Sequence, residues 1–443
     1  MRLAAASPAL PEAPPVLARQ LGFWTLAVYG IGDILGAGIY ALVGKVAGIS
    51  GQSAWLSFVV SAVLAAVTGL SYAELTSRIP KAAGAAAFCG RAFRHPLIPY
   101  LVGLCVLASG VTSTAAVSLA FYGYLKVFLD VPQLAAAISL ICLMSLLSFW
   151  GIRESAGANN ILTAIEVSGL LLVIGVGFSY AAKQNPGELL DRIAPSAGFL
   201  PVLSGATLAF YAFIGFEDLA NLAEEAKNPS RDLPRAILTA VGVTTLIYLC
   251  VIFVLLWAIP PQEAASSMTP LLDVLKKAGF SLPPWGFAPI ALFAVCNTGL
   301  ANLVMASRLL YGMADQGLLP RPLALIHPGR RTPWVAVLTA MALCVALVLT
   351  GTVGVMAQTT SLLLTAAFLV MHLSLILIRR REPAAEGTFR APGFVPYLGI
   401  GVCLLLSSQA PAQAYLRMAL VIGVGILLYP AFPGKAGARV PEH

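Results

Sequence analysis

Four carboxylates stand where a carboxylate is costly. Asp33, Glu166, Glu217 and Asp218 all fall in long apolar runs, and no lysine or arginine lies equally deep in those runs. In low dielectric an uncompensated carboxylate takes up a proton or binds a cation. A buried acid of that kind is also what a proton carrier requires. Asp33 sits inside GIGDILGAGIY (Gly30 to Tyr40), with four glycines in nine residues. Glycine costs a helix interior roughly 1 kcal/mol relative to alanine, so Gly36-Ala37-Gly38 reads as a break. The free N–H groups beyond a helix break attract a carboxylate, and the free carbonyls before it attract an ammonium or a metal ion. A zwitterion offers both partners, and the small side chains let it approach the backbone. Gly32 and Gly36 also form a GxxxG pair, so close helix packing stays open as a second reading.

The elements that would position these groups are membrane spans. Of 443 residues, 59% are hydrophobic and 10% charged, against about 25% charged in a soluble domain. Apolar runs occur near 22–47, 53–77, 97–128, 133–150, 160–181, 199–223, 236–259, 285–313, 333–351, 355–378, 394–410 and 414–432. That is twelve spans of about the length a bilayer requires. With the N-terminus inside, the inner loops and tails hold twenty lysines and arginines and the outer side seven. That asymmetry places both termini in the cytoplasm of a multi-pass cytoplasmic (inner) membrane protein.

The net charge of +8 is spread over short loops rather than along one face, which argues against a nucleic-acid partner. Residues 1–21 carry four prolines and Glu12 and read as a cytoplasmic tail rather than a signal peptide. The seven cysteines form no CxxC pair and read as packing residues. The histidines are too scattered for a metal site, and His372, in an apolar run, reads as a histidine near a helix end bonded to a neighbour. No P-loop, dinucleotide, hydrolase or zinc motif occurs, so neither a cofactor nor an enzyme activity is expected.

The first and sixth spans are the two that combine a glycine interruption with an acid near mid-membrane, and they begin about 177 residues apart. Five spans separate them, so the two halves run in opposite senses. Paired broken helices of this kind point to inverted repeats. The sixth span reads ATLAFYAFIGFEDLANLAEEAKNPSRDLPRAI (Ala206 to Ile237). Its Gly215-Phe216-Glu217, Glu224-Glu225, Lys227-Asn228-Pro229 and Pro234-Arg235 resemble the signature of amino acid–polyamine–organocation permeases. The first span, with Gly36-Ala37-Gly38-Ile39, is similar to that superfamily too. So are SYAELTSRIPKAAGAAAF (Ser71 to Phe88) and SRLLYGMADQGLLPRPL (Ser307 to Leu323).

The resemblance implies an all-α membrane protein of twelve helices, with a LeuT-like five-plus-five inverted repeat and two C-terminal helices. The repeats would cover 22–181 and 199–378, helices 11 and 12 would cover 394–432, and 433–443 would be a cytoplasmic tail. It also implies that backbone N–H groups at Gly36, Ala37 and Gly38 hold a substrate carboxylate. Carbonyls at Tyr211, Ala212 and Ile214 would hold the α-amino group, with Tyr211 covering the substrate. Glu217 would take a gating or proton-linked role.

Several proton-coupled relatives carry a lysine where Glu166 stands in NNILTAIEVSG (Asn159 to Gly169), so Glu166 departs from their pattern. A carboxylate there recruits a cation instead, which leaves sodium possible; Thr298 and Ser307 are candidate hydroxyl ligands of unpersuasive spacing. Asp33, one turn before Gly36, would meet a substrate amine or a cationic side chain. Asp218 is expected to point elsewhere on its helix. Ser109 and Thr112 are nominated for the side-chain pocket. Glu224, Glu225, Lys227, Arg231, Asp232 and Arg235 could form an inner gate network or a solvated cluster, and Glu74 and Arg78 a local ion pair. The expected activity is secondary active transport of amino acids across the membrane by alternating access, coupled to protons rather than sodium. The rival is an exchanger of cationic amino acids or polyamines without net proton flux.

Overall fold

The computed structural model describes residues 21–79, 84–150, 156–223, 226–280, 284–330, 332–383 and 387–431. The two tails and the pair Glu224-Glu225, for which roles are expected above, lie outside the described residues. Among the described residues the chain is helical throughout and forms no β-strand. The helices are α1 (Phe23–Ser50), α2 (Ala54–Arg78), α3 (Gly84–Ala92), α4 (Leu97–Leu125), α5 (Gln133–Trp150), α6 (Ala156–Ala181), α7 (Pro186–Ile193) and α8 (Phe199–Ala209). They continue with α9 (Pro229–Ala258), α10 (Pro261–Ser266), α11 (Pro270–Lys277), α12 (Pro284–Asp315), α13 (Trp334–Val348), α14 (Val353–Arg381), α15 (Val395–Ser407) and α16 (Ala412–Leu428).

Among the described residues eight helical stretches are long and apolar enough to cross a membrane, and the first of them, 56 residues long, is α1 and α2 joined by a single 3₁₀ turn. Three further apolar helices are shorter: Phe199–Phe213, Trp334–Val348 and Val395–Ser407. The twelve expected spans are therefore matched by eight long helical stretches and three short ones among the described residues. The short members are the broken sixth span, α13, which Pro333 bounds at its start, and α15, which has Pro396 in its first turn. A proline blocks the helix before it.

Burial explains which helices form the centre. α1 is buried on most of its length and packs against α6, α8, α9, α10 and α12, whereas α16 buries only Ala414 and Gly425. In lipid there is little hydrophobic drive between helices, so close approach depends on small residues. A Cβ at Gly32 would fall on the Thr163 hydroxyl of α6, and one at Gly177 on Val254 of α9. Hydroxyls join elements where apolar contact cannot: Ser57 donates to the Val202 carbonyl at 2.8 Å and Ser61 to the Ala206 carbonyl at 2.8 Å, tying α2 to α8.

The charges at the ends of α2 and α14 form one knot. Glu74, fully buried, accepts from Arg78 Nε at 2.9 Å, Arg379 Nε at 3.0 Å and the Ala391 amide at 2.9 Å. The expected Glu74–Arg78 pair is thus present and enlarged by Arg379, which also reaches the second carboxylate oxygen. Among the described residues no ion pair joins Lys227, Arg231, Asp232 and Arg235, so the described part of the loop is not a salt-bridge network. His372 lies well inside α14 rather than near its end. Its ring nitrogen meets the Ser71 hydroxyl at 3.0 Å.

Candidate functional site

Two helix breaks meet at the centre of the bundle. In α1, Gly36 leaves helical geometry with φ −2° and ψ −157°. In the sixth span, α8 tightens into a 3₁₀ turn at Phe210–Phe213, runs extended at Ile214 (φ −65°, ψ 143°), turns at Gly215 (φ 126°) and resumes as a 3₁₀ helix, Phe216–Leu222. The Gly215 conformation is one that side-chain-bearing residues rarely adopt.

The two breaks run antiparallel and in contact. A Cβ at Gly38 would lie 2.6 Å from the Ala212 Cα, and one at Gly215 would lie 2.8 Å from the Asp33 carbonyl carbon. Glycine is needed at both places because backbone packs on backbone. Tyr248 of α9 closes the pair: its hydroxyl lies 2.7 Å from both the Ile34 and the Ala212 carbonyls. One hydroxyl has one proton, so it donates to one of these carbonyls at a time.

A small cavity of about 40 Å³ opens between the breaks. From α1 it is lined by Asp33, Ile34, Gly36, Ala37 and Gly38; from the sixth span by Tyr211, Ile214, Gly215 and Asp218. Ser113 of α4 and Thr298, Ala301 and Asn302 of α12 complete it. The Ala37 amide donates to the Thr298 hydroxyl at 2.8 Å, which in turn donates to the Ala294 carbonyl at 3.0 Å. Asn302 Nδ2 donates to Ser113 Oγ at 3.1 Å and to the Thr298 carbonyl at 2.9 Å. Tyr211 joins the same chain through its hydroxyl, 2.8 Å from Ser113 Oγ.

Of the residues singled out in the sequence, Asp33, Gly36, Ala37, Gly38, Tyr211 and Ile214 line this cavity. Ala212 does not; it packs on Gly38 and its carbonyl meets Tyr248. Asp218, expected to point elsewhere, is part of the lining. The reason is local geometry. Residues three apart eclipse on a 3₁₀ helix, unlike on an α-helix, and the Asp218 amide donates to the Gly215 carbonyl at 3.1 Å. Asp218 therefore stacks over Gly215. Glu217 turns back instead, and its Oε2 accepts the Gly215 amide at 2.9 Å.

Glu166 lies outside the lining, 1% exposed. Its Oε1 accepts from Asn297 Nδ2 at 3.3 Å, and its Oε2 has no hydrogen-bond partner. The Thr163 hydroxyl, one turn earlier on the same face and against Gly32, is likewise buried without one. Ser109 and Thr112 face away from the cavity. Their hydroxyls bond to carbonyls of their own helix, and Thr112 also meets Thr360 at 2.7 Å. Ser307 bonds to the Val304 carbonyl of its own helix. Ser113 and Asn302 were missed. The signal available was helical spacing: Ser113 is four residues after Ser109, and Asn302 four after Thr298.

Membrane-length helices wrapped around a small cavity at two helix breaks define a multi-pass membrane protein. The chain belongs to the amino acid permease family, whose model matches residues 21–426. It is 30% identical to the branched-chain amino acid permease BcaP of Bacillus subtilis, over 95% of this chain and 94% of that one. It is 27% identical to the methylthioribose transporter of Bacillus subtilis, again over 95% and 94%. To cationic amino acid transporter 4 of Mus musculus it is 30% identical, over 85% of this chain and 62% of that one.

Proposed function

We propose that this permease is a secondary active transporter that moves amino acids across the cytoplasmic membrane by alternating access, with coupling to protons. The observation that carries the reading is the antiparallel meeting of two broken helices around a cavity lined by backbone and by Asp33 and Asp218. On this reading the chain crosses the membrane twelve times as a five-plus-five inverted repeat followed by two helices, with both termini cytoplasmic. α1 and the sixth span are the equivalent members of the repeats.

The substrate carboxylate would take the amides of Gly36, Ala37 and Gly38. The Ala37 amide donates to the Thr298 hydroxyl, an acceptor the carboxylate would replace. The α-amino group would meet the Tyr211 and Ile214 carbonyls, while the Ala212 carbonyl stays with Tyr248. Tyr211, held by Ser113, would close over the substrate. Movement would follow from rocking of the broken helices against α4 and α12, which hold the other wall of the cavity.

One observation favours a second reading. The cavity lining contains two carboxylates and no basic side chain. That balance suits a substrate with a second positive charge, the class in the name of the mouse relative, here exchanged without net proton flux. Purified protein in proteoliposomes separates the two. Saturable uptake of a labelled neutral amino acid, accelerated by an inwardly directed proton gradient, supports proton-coupled transport. Uptake that responds only to internal substrate, and is competed mainly by lysine, arginine or diamines, establishes the exchanger. No uptake of any amino acid or polyamine in a full competition panel would sink both.

A further inference from the structure

We infer that the groove between α5 and α13 is a binding site for one anionic phospholipid. The groove encloses about 330 Å³ and lies apart from the central cavity. Its walls are apolar: Cys142, Leu146 and Phe149 on α5 face Trp334, Leu338 and Met341 on α13. The paired residues step along both helices over seven positions, so the groove runs about 10 Å along the helix axes. That is roughly a third of a bilayer's hydrocarbon thickness, and the groove starts at the helix ends, where a lipid's glycerol region sits. Trp150 and Trp334, both exposed, mark that level.

The charge at the mouth selects the headgroup. The Phe149 ring lies 5.3 Å from the His327 ring, and His327 Nδ1 accepts the Arg330 amide at 3.2 Å. The Thr332 hydroxyl donates to the Phe149 carbonyl at 2.9 Å, which ties the same loop to the end of α5. Arg330 is exposed and, among the described residues, makes no ion pair. From Gln316 to Arg381 the sequence holds no Asp or Glu, while the loop before α13 holds Arg321 and Arg330. A basic loop joined to the end of an apolar slot matches a phosphate beside an acyl chain. A second copy of the chain is a poorer match, because the groove involves eight residues where a stable protein interface engages roughly 20–30 on each side.

Native mass spectrometry of the full-length protein, delipidated and then titrated with phosphatidylglycerol or phosphatidylcholine of the same acyl chains, tests this. The wild type should retain phosphatidylglycerol several-fold better. Arg330→Gln should reduce that preference by about fivefold, the effect of one arginine near an anionic surface. Leu338→Trp, at a half-exposed position, should fill the slot and reduce retention of both lipids. Circular dichroism and thermal unfolding of each variant show whether it is folded. Equal retention of the two lipids by the wild type overturns the inference. So does an Arg330→Gln variant that is folded and keeps its full preference, or a dimer that forms through this face and excludes lipid.

Discussion

Glu217 and Glu166 both read in the sequence as proton-linked acids in apolar runs, yet they are held in different ways. Glu217 has one oxygen committed to the Gly215 amide, at the residue that turns the broken helix. That bond holds the turn, and the role proposed for Glu217 is positioning. Glutamine keeps an oxygen that accepts the same bond, so Glu217→Gln should retain uptake and its pH dependence. Glu217→Ala leaves the amide without its acceptor, at a cost of about 1–3 kcal/mol, and should raise KM roughly tenfold or more. Glu166 has one oxygen without a partner beside a second unpartnered oxygen on Thr163, and is the acid with room to accept a proton. Glu166→Gln should flatten the rise of uptake as external pH falls, measured in proteoliposomes at fixed membrane potential. Equal flattening by Glu217→Gln would show that this division of roles is wrong.

At the scale of elements, the break in α1 was legible because its residues are ones a helix uses reluctantly, and no other apolar run concentrates them so strongly. The break in the sixth span was legible from Gly215 and the acid after it. What could not be read was how the chain resumes after Gly215. The 3₁₀ geometry of Phe216–Leu222 brings Asp218 round to the cavity and sends Glu217 back to the turn. Periodicity of 3.6 assigns those two acids the other way. The contact between the breaks carries a prediction of its own. Gly38→Ala would press a methyl group to 2.6 Å from the Ala212 Cα, and backbone cannot swing aside as a side chain can. The cost should be about 1–3 kcal/mol, seen as a loss of uptake in protein that still reaches the membrane. Gly242 of α9 is the control, since a methyl group there meets nothing within 4 Å. Gly242→Ala should leave uptake unchanged and thermal stability equal or slightly higher. Matching losses in both variants would mean that the effect at Gly38 is not one of contact between the breaks.

For the whole molecule, hydrophobicity alone separated the long helices well and the short ones poorly. α13 has 15 residues and α15 has 13, or about 22 Å and 20 Å of helix, against a hydrocarbon core of about 30 Å. A helix that short crosses only if its ends are carried by neighbours or if the bilayer thins around it. α13 meets the first condition at both ends. The Thr332 hydroxyl before it bonds to the Phe149 carbonyl of α5, and Arg417 of α16 donates to the Thr350 carbonyl after it at 2.8 Å. The ends of α13 are therefore tied to α5 and α16, and the Thr350 carbonyl is satisfied by protein rather than left to lipid. Twelve crossings then require Arg321 and Thr350, both exposed and on either side of α13, to open to opposite faces of the membrane. Arg321→Cys and Thr350→Cys, each made in a chain whose seven native cysteines are replaced, should react with a membrane-impermeant maleimide from opposite sides of sealed vesicles. Labelling of both from one side would remove α13 as a crossing, and with it the equivalence of the two five-helix halves.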